Sequence, residues 1–140
     1  MLEVINQQRK IKINRQIFQD FANVLIEQVS ETKNKSAAVA FVSDQTMRRL
    51  NREFRGVDST TDVLSFSLLG EAADDEYLGD IAVSLEQAER QAVENHLDFE
   101  TEIKQLILHG ILHLCGYDHE TDDGAMNRRE LELRDKLGIM

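Results

Sequence analysis

Residues 78–87 read L-G-D-I-A-V-S-L-E-Q, and the two halves of this stretch obey different rules. Residues 78–83 form a short apolar run with β-branched members, which predicts a strand. Ser84 followed three residues later by Gln87 is the capping-box signature of a helix start, and the helix is expected to reach about His96. The same order occurs upstream. Residues 37–42 (A-A-V-A-F-V) are a continuous small-apolar run read as a buried strand, and Asp44 then caps a helix. That helix carries Met47, Leu50 and Phe54 on one face, with Arg48, Arg49 and Arg52 elsewhere. Met47 and Phe54 are expected in the core.

Outward from these units, residues 2–5 form a short apolar start suited to an edge strand. From Asn14, a candidate cap, Ile17, Phe21, Val24, Leu25 and Gln28 follow helical steps. The polar turn V-D-S-T-T-D leads into a strand over residues 63–68, and residues 70–76 form an acidic loop. A further helix is expected from about Asp98 to about Cys115, where Gly116 can stop it in a left-handed conformation. A charged helix over residues 127–137 closes the chain. The order β-α-β-α-β-β-α-α-α predicts a mixed α/β fold: one domain over residues 1–140, a small four-stranded sheet covered by helices.

Composition limits the function classes. The 140 residues are 41% apolar and 30% charged, as in an ordinary soluble domain. No run of 18 apolar residues suggests a membrane span, and the first residues lack the basic-then-apolar order of a secretion signal. The single cysteine, Cys115, offers no internal disulfide. A cytoplasmic location is the expectation. Sixteen basic against 26 acidic residues leave a net charge of −10, which argues against non-specific coating of nucleic acid, and no DNA partner is expected. The charge is unevenly distributed: residues 1–57 carry a net +4 and residues 58–140 a net −14.

Three of the four histidines fall within H-G-I-L-H-L-C-G-Y-D-H, residues 109–119. His109 and His113, four apart on a predicted helix, share a face with Cβ atoms about 6 Å apart, a separation at which two imidazoles can hold one metal ion. Gly116 lets the chain reverse and bring His119 back toward the pair. Such a tripod leaves a fourth position open, as a catalytic zinc requires. Ile103, Ile107, Ile111 and Leu114 form the apolar stripe of this helix, and the histidines lie opposite with Glu102 and Gln105. The spacing nearly reproduces H-E-x-x-H-x-x-G-x-x-H of the metzincin peptidases, but Gly110 stands in place of the glutamate base. Without that carboxylate the peptidase mechanism loses the group that activates water.

The segment from His109 to His119 resembles the H-G-x-L-H-L-x-G-Y-D-H signature of the YbeY-type endoribonucleases, the bacterial ribosomal RNA maturation factors. Upstream, L-N-R-E-F-R-G-V-D-S-T-T-D-V-L-S-F (residues 50–66) and L-G-D-I (residues 78–81) resemble the corresponding family segments, in family order. Thr60 and Ser67 depart from it, standing where the family usually has proline. The resemblance implies that His109, His113 and His119 bind one zinc ion per chain and that Arg55 lines the same cleft to contact substrate. A guanidinium there can grip an anionic phosphodiester bidentately. It further implies a zinc-dependent, single-strand-specific endoribonuclease acting on ribosomal RNA, with the ribosome as a partner. The basic first half of the chain, with Arg48, Arg49, Arg52 and Arg55 near the cleft, is expected to supply the contacts to the RNA backbone. Two rival readings stand beside it: a metal hydrolase of peptides or small phosphoesters, and a non-catalytic zinc-bearing ribosome assembly factor. Around the histidines, Asp118, Glu120 and Gln105 are candidates to orient an imidazole N–H or to face solvent. Cys115 reads either as a thiolate ligand or as a small core residue, Asp62 and Asp80 as turn-forming residues, and His96 as a surface or capping histidine.

Overall fold

The apolar runs A-A-V-A-F-V and I-A-V form the middle of the sheet because they offer side chains that can be buried on both faces. The computed structural model describes residues 1–67, 76–118 and 121–140. Leu68, residues 70–75 of the expected acidic loop, His119 and Glu120 lie outside the described residues. Strands Leu2–Asn6 (β1), Ser36–Val42 (β2), Val63–Ser67 (β3) and Tyr77–Ser84 (β4) form one sheet in the order β1-β2-β4-β3. β1–β2 and β2–β4 are parallel, and β3 runs antiparallel to β4 at the edge. The helices are Arg15–Gln28 (α1), Asp44–Arg55 (α2), Leu85–Glu94 (α3), Phe99–Leu114 (α4) and Ala125–Leu137 (α5). The expected mixed α/β architecture and element order are therefore present. Among the described residues no helix is long and apolar enough to cross a membrane.

Alternation along the central strands divides the interior. Ala37, Val39, Phe41, Ile81 and Val83 enter the main core with α1 and α4, while Val42 and Ala82 join Leu64 and Met47 beneath α2. β1 would expose a free sheet edge, but α1 covers it: Val4 N–H donates to Gln19 Oε1 (2.9 Å), and the Gln19 amide donates to the Leu2 carbonyl (2.8 Å). The opposite edge, β3, borders a cleft. The register of β4 against β2 slips by one residue at Leu78, and Gly79 follows with φ +140°. A Cβ at Gly79 would lie 2.1 Å from the Phe66 carbonyl oxygen.

Several local expectations are corrected. On α1 the buried face is Phe18, Phe21, Ala22 and Leu25, while Ile17 and Val24 are 39% and 48% exposed. Phe18 meets Phe41 edge-on, with ring centroids 5.4 Å apart, and this contact sets the rotation of the helix. The cap of α2 is Ser43, whose hydroxyl accepts from Thr46 N–H; Asp44 is the first helical residue and accepts from Ser84 Oγ and Arg90. Met47 is buried, but Phe54 is 63% exposed. Ser84 caps α3 through Gln87 N–H, whereas the Gln87 side chain bonds Gln91 and Arg90 rather than returning to the cap. Helix α3 stops at Glu94, and His96 lies beyond it, exposed at φ +56°. Helix α5 begins two residues earlier than expected, at Ala125, where Asp122 accepts from Met126 N–H at 2.9 Å.

Helix α4 is buried over most of its surface, Glu102 and Gln105 of the expected polar side included, while His109 and His113 are half-buried. It packs against β3, β4, α1, α3 and α5. Its polar residues are therefore individually satisfied: Glu102 accepts from Asn95 at 2.6 Å, and Gln105 donates to the Ile139 carbonyl at 2.5 Å. Gly110 faces β4, where an added Cβ would meet Ile81 Cγ2 at 2.9 Å, and its absence lets helix and strand approach closely.

Candidate metal centre

The last two turns of α4 bring His109 and His113 together. Their Nε2 atoms are 3.2 Å apart and their rings are inclined at 76°. From α5, the buried carboxylate of Glu130 meets His109 Nδ1 at 2.6 Å through Oε1, and its Oε2 accepts from Arg134 at 2.9 Å. Burial works to raise the Glu130 pKa, but the His109 hydrogen bond and the neighbouring positive charge outweigh it and hold the pKa below the ordinary glutamate value. A carboxylate accepting the Nδ1–H of His109 leaves Nε2 as the lone-pair nitrogen facing His113. This carboxylate–histidine pairing is the support typical of a metal-ligating imidazole.

The donor set fits a borderline-soft divalent ion such as zinc: two imidazoles of the required type converge through the same ring atom. His119 lies outside the described residues, and among the described residues no group of three or more His, Cys, Asp or Glu is placed to hold a metal ion together. Cys115 packs against the main core, and burial pushes its thiol up to about 11, so at neutral pH it is a protonated core residue. Gln105 bonds the Ile139 carbonyl instead of an imidazole.

After α4 the chain turns through Gly116, at φ +100°, and is clasped from outside. Tyr117 Oη donates to Glu31 Oε2 (2.7 Å), while Arg129 donates to both carboxylate oxygens of Glu31 (2.9 and 2.7 Å). The Arg129 hydrogen bond leads the causes that hold Glu31 down to about 2, so this clasp is charged throughout the neutral range. It ties the 116–118 turn to α5 and to the residues that follow α1.

Histidines and turn open on a cleft of about 570 Å³, which Arg55, Val63, Ser65, His109, His113 and Asp118 help to line. Arg55 enters it from the C-terminal end of α2. Among the described residues Arg55 forms no ion pair or side-chain hydrogen bond, whereas Arg48 grips Asp58 through Nε (2.8 Å) and a terminal nitrogen (3.1 Å), with Arg52 at 3.8 Å. Asp62, also on the wall, accepts from Val63 N–H and Gln91, and so anchors the turn before β3. Asp80 lies on β4 as the acceptor of the Tyr77 hydroxyl.

Glu130, Arg134, Glu31 and Arg129 escape a reading of the motif alone. One signal for Glu130 is present: it occupies the seam Met126–Glu130–Leu133 of α5, where spacing calls for an apolar residue. Glu130→Gln keeps the shape of the side chain and removes its charge. The variant is expected to bind zinc roughly tenfold more weakly in chelator competition, with unchanged circular dichroism. Unaltered affinity would make Glu130 only a packing residue.

Comparison with known proteins follows the same chain segments. The model of the family described as Endoribonuclease YbeY matches residues 3–138. The chain is 39% identical to the Endoribonuclease YbeY of Clostridioides difficile, over 96% of this chain and 94% of that one. It is 37% identical to that of Carboxydothermus hydrogenoformans, over 99% of each. The solution structure of TM1509 from Thermotoga maritima superposes with a TM-score of 0.67 at 28% identity, covering 98% of this chain and 89% of that one.

Proposed function

The chain belongs to the Endoribonuclease YbeY family, and from that premise we propose that it is a zinc-dependent, single-strand-specific endoribonuclease of ribosomal RNA maturation, working in the cytoplasm and at the ribosome. The observation that carries this reading is the convergence of two imidazole Nε2 atoms at 3.2 Å, one backed by a buried carboxylate, in a cleft lined by Arg55. His109, His113 and His119 would hold the ion. When bound, zinc supplies Lewis acidity toward a phosphoryl oxygen.

The remaining work falls to the chain itself. Glu130 would keep His109 in the tautomer whose Nε2 carries the lone pair that a metal ligand needs. Arg55 binds the non-bridging oxygens of the phosphodiester and balances the charge that grows on them in the transition state. Arg48 and Arg52, the further candidates for backbone contacts, both face Asp58, which offsets part of their charge. A cleft at a sheet edge admits one strand whose bases can be splayed apart, which is the usual target of base-contacting RNA proteins. Gly110 argues against a peptide substrate, because the glutamate of the peptidase signature is missing there.

Metal analysis of the untagged protein, with cleavage of single-stranded RNA assayed before and after chelation, tests the proposal. Expected are one zinc per chain, and cleavage lost on chelation and regained on zinc addition; cleavage indifferent to chelation would overturn it. Arg55→Glu should lower RNA cleavage by about 10²–10³-fold while zinc content stays intact, a loss on the scale of removing a charge-stabilising donor. Equal loss of zinc and activity would show that Arg55 only supports the fold.

A further inference from the structure

Helix α4 ends at Leu114, and the wall of the histidine cleft continues through Leu114, Gly116, Tyr117 and Asp118. The chain leaves the helix by way of Gly116, at φ +100°, where an added Cβ would meet open space. Glycine holds its own dihedrals loosely, so the course of the wall beyond it has to be set by the residues that follow. Tyr117 does this. Its ring packs against the main core, and its hydroxyl donates to Glu31 Oε2 at 2.7 Å.

Glu31 stands on a firm post. It is the middle residue of the short turn Ser30–Thr32, in which Thr32 is fully buried with its hydroxyl 2.9 and 2.8 Å from the carbonyl oxygens of Ile26 and Val29. Each oxygen of the Glu31 carboxylate takes two donors: Oε2 from Tyr117 and Arg129 Nε, Oε1 from Ser30 (3.0 Å) and a terminal nitrogen of Arg129. Arg129 directly precedes Glu130 on α5, and Glu130 meets His109 Nδ1 at 2.6 Å. Successive helical positions diverge by about 100°, so α5 turns one side chain to the post and the next to α4. One carboxylate is thus joined to the site on two sides. Through Tyr117 it reaches the chain two residues before His119, and through Arg129 it reaches the helix that supports His109.

We propose that Glu31, Tyr117 and Arg129 are positioning residues of the metal centre. They set the turn after α4 and the carboxylate behind His109 before an ion arrives, which lessens the ordering that binding itself must supply. They act through the ligands and do not ligate. The inference rests on the zinc part of the proposed function and assigns it a support outside the histidine motif.

Tyr117→Phe keeps the ring in the core and removes only the hydroxyl, while Glu31→Ala removes the carboxylate shared by both arms. The zinc dissociation constant of each protein is measured by competition with a chromophoric chelator, at a temperature where circular dichroism shows the metal-free form folded. The thermal midpoint of the metal-free form is recorded beside it. Tyr117→Phe is expected to weaken zinc about tenfold and Glu31→Ala at least as much. The double variant should bind no more weakly than Glu31→Ala alone, because both changes act through one carboxylate. A lowered midpoint with unchanged zinc affinity in Tyr117→Phe overturns the inference, since the clasp then serves only the fold; this variant alone decides if Glu31→Ala does not fold. Losses that add in the double variant also overturn it. An unaltered chain that binds no zinc overturns the metal centre and this inference with it. Zinc binding without RNA cleavage overturns the endoribonuclease reading, and the affinities still decide this one.

Discussion

His113→Ala is expected to strip the protein of stoichiometric zinc and to slow RNA cleavage by about a thousandfold or more, with little loss of fold. The metal term follows from geometry: the substitution removes one of the two Nε2 donors that converge at 3.2 Å. The kinetic term follows from the several kcal/mol that a Lewis-acidic ion contributes to a phosphoryl transition state. The fold should survive because His113 is half-buried at the cleft wall and not part of the fully buried core. Metal content per chain, single-turnover cleavage and circular dichroism, measured on one preparation, check all three. Full zinc content with lost cleavage would make His113 a substrate contact and not a ligand. Retained cleavage would remove the metal centre from the reaction altogether.

Gly79→Ala is expected to cost about 3–5 kcal/mol, a large share of the roughly 5–15 kcal/mol that holds a domain together. Two penalties coincide. At φ +140° an alanine is strained by its own backbone, and its Cβ would stand 2.1 Å from the Phe66 carbonyl oxygen and 3.1 Å from Leu114 Cδ2. The carbonyl belongs to a paired strand, so it cannot turn aside as a flexible side chain would; β3 must separate from β4. For a chain of this size the thermal midpoint should fall by roughly 10 °C or more. A midpoint within about 2 °C of the unaltered protein would show that the edge pairing is loose enough to absorb a methyl group.

The strands and the order of elements were legible in the sequence because continuous apolar runs and side-chain caps are local signals. Rotation about a helix axis was less legible. On α1 the positions 17-21-24 and 18-21-25 both trace an apolar line, and only the meeting of Phe18 with Phe41 on β2 decides between them. The cap of α2 moved by one residue for a similar reason, since Asp44 is engaged by Ser84 and Arg90, each 40 or more residues away. At the site, helical spacing sufficed to pair His109 with His113. Glu130 lies 21 residues from its histidine, and Glu31 lies 98 residues from Arg129, so these supports depend on tertiary packing that spacing does not encode. Phe54 was misplaced because periodicity marks a face without telling how deeply each position on it is covered: its ring rests on Phe66 of the edge strand yet stays largely exposed.

The close seat of α4 on β4 has a consequence for how this scaffold can change. The residue after the first histidine faces Ile81, and even a methyl carbon there would come within 2.9 Å of Ile81 Cγ2, too close for a normal contact. A mutational step that put the peptidase carboxylate back at Gly110 would have to prise the helix from the strand before any new chemistry could begin. The route from this architecture to a protein-cutting one is therefore blocked by helix-to-sheet spacing, and no single codon reopens it.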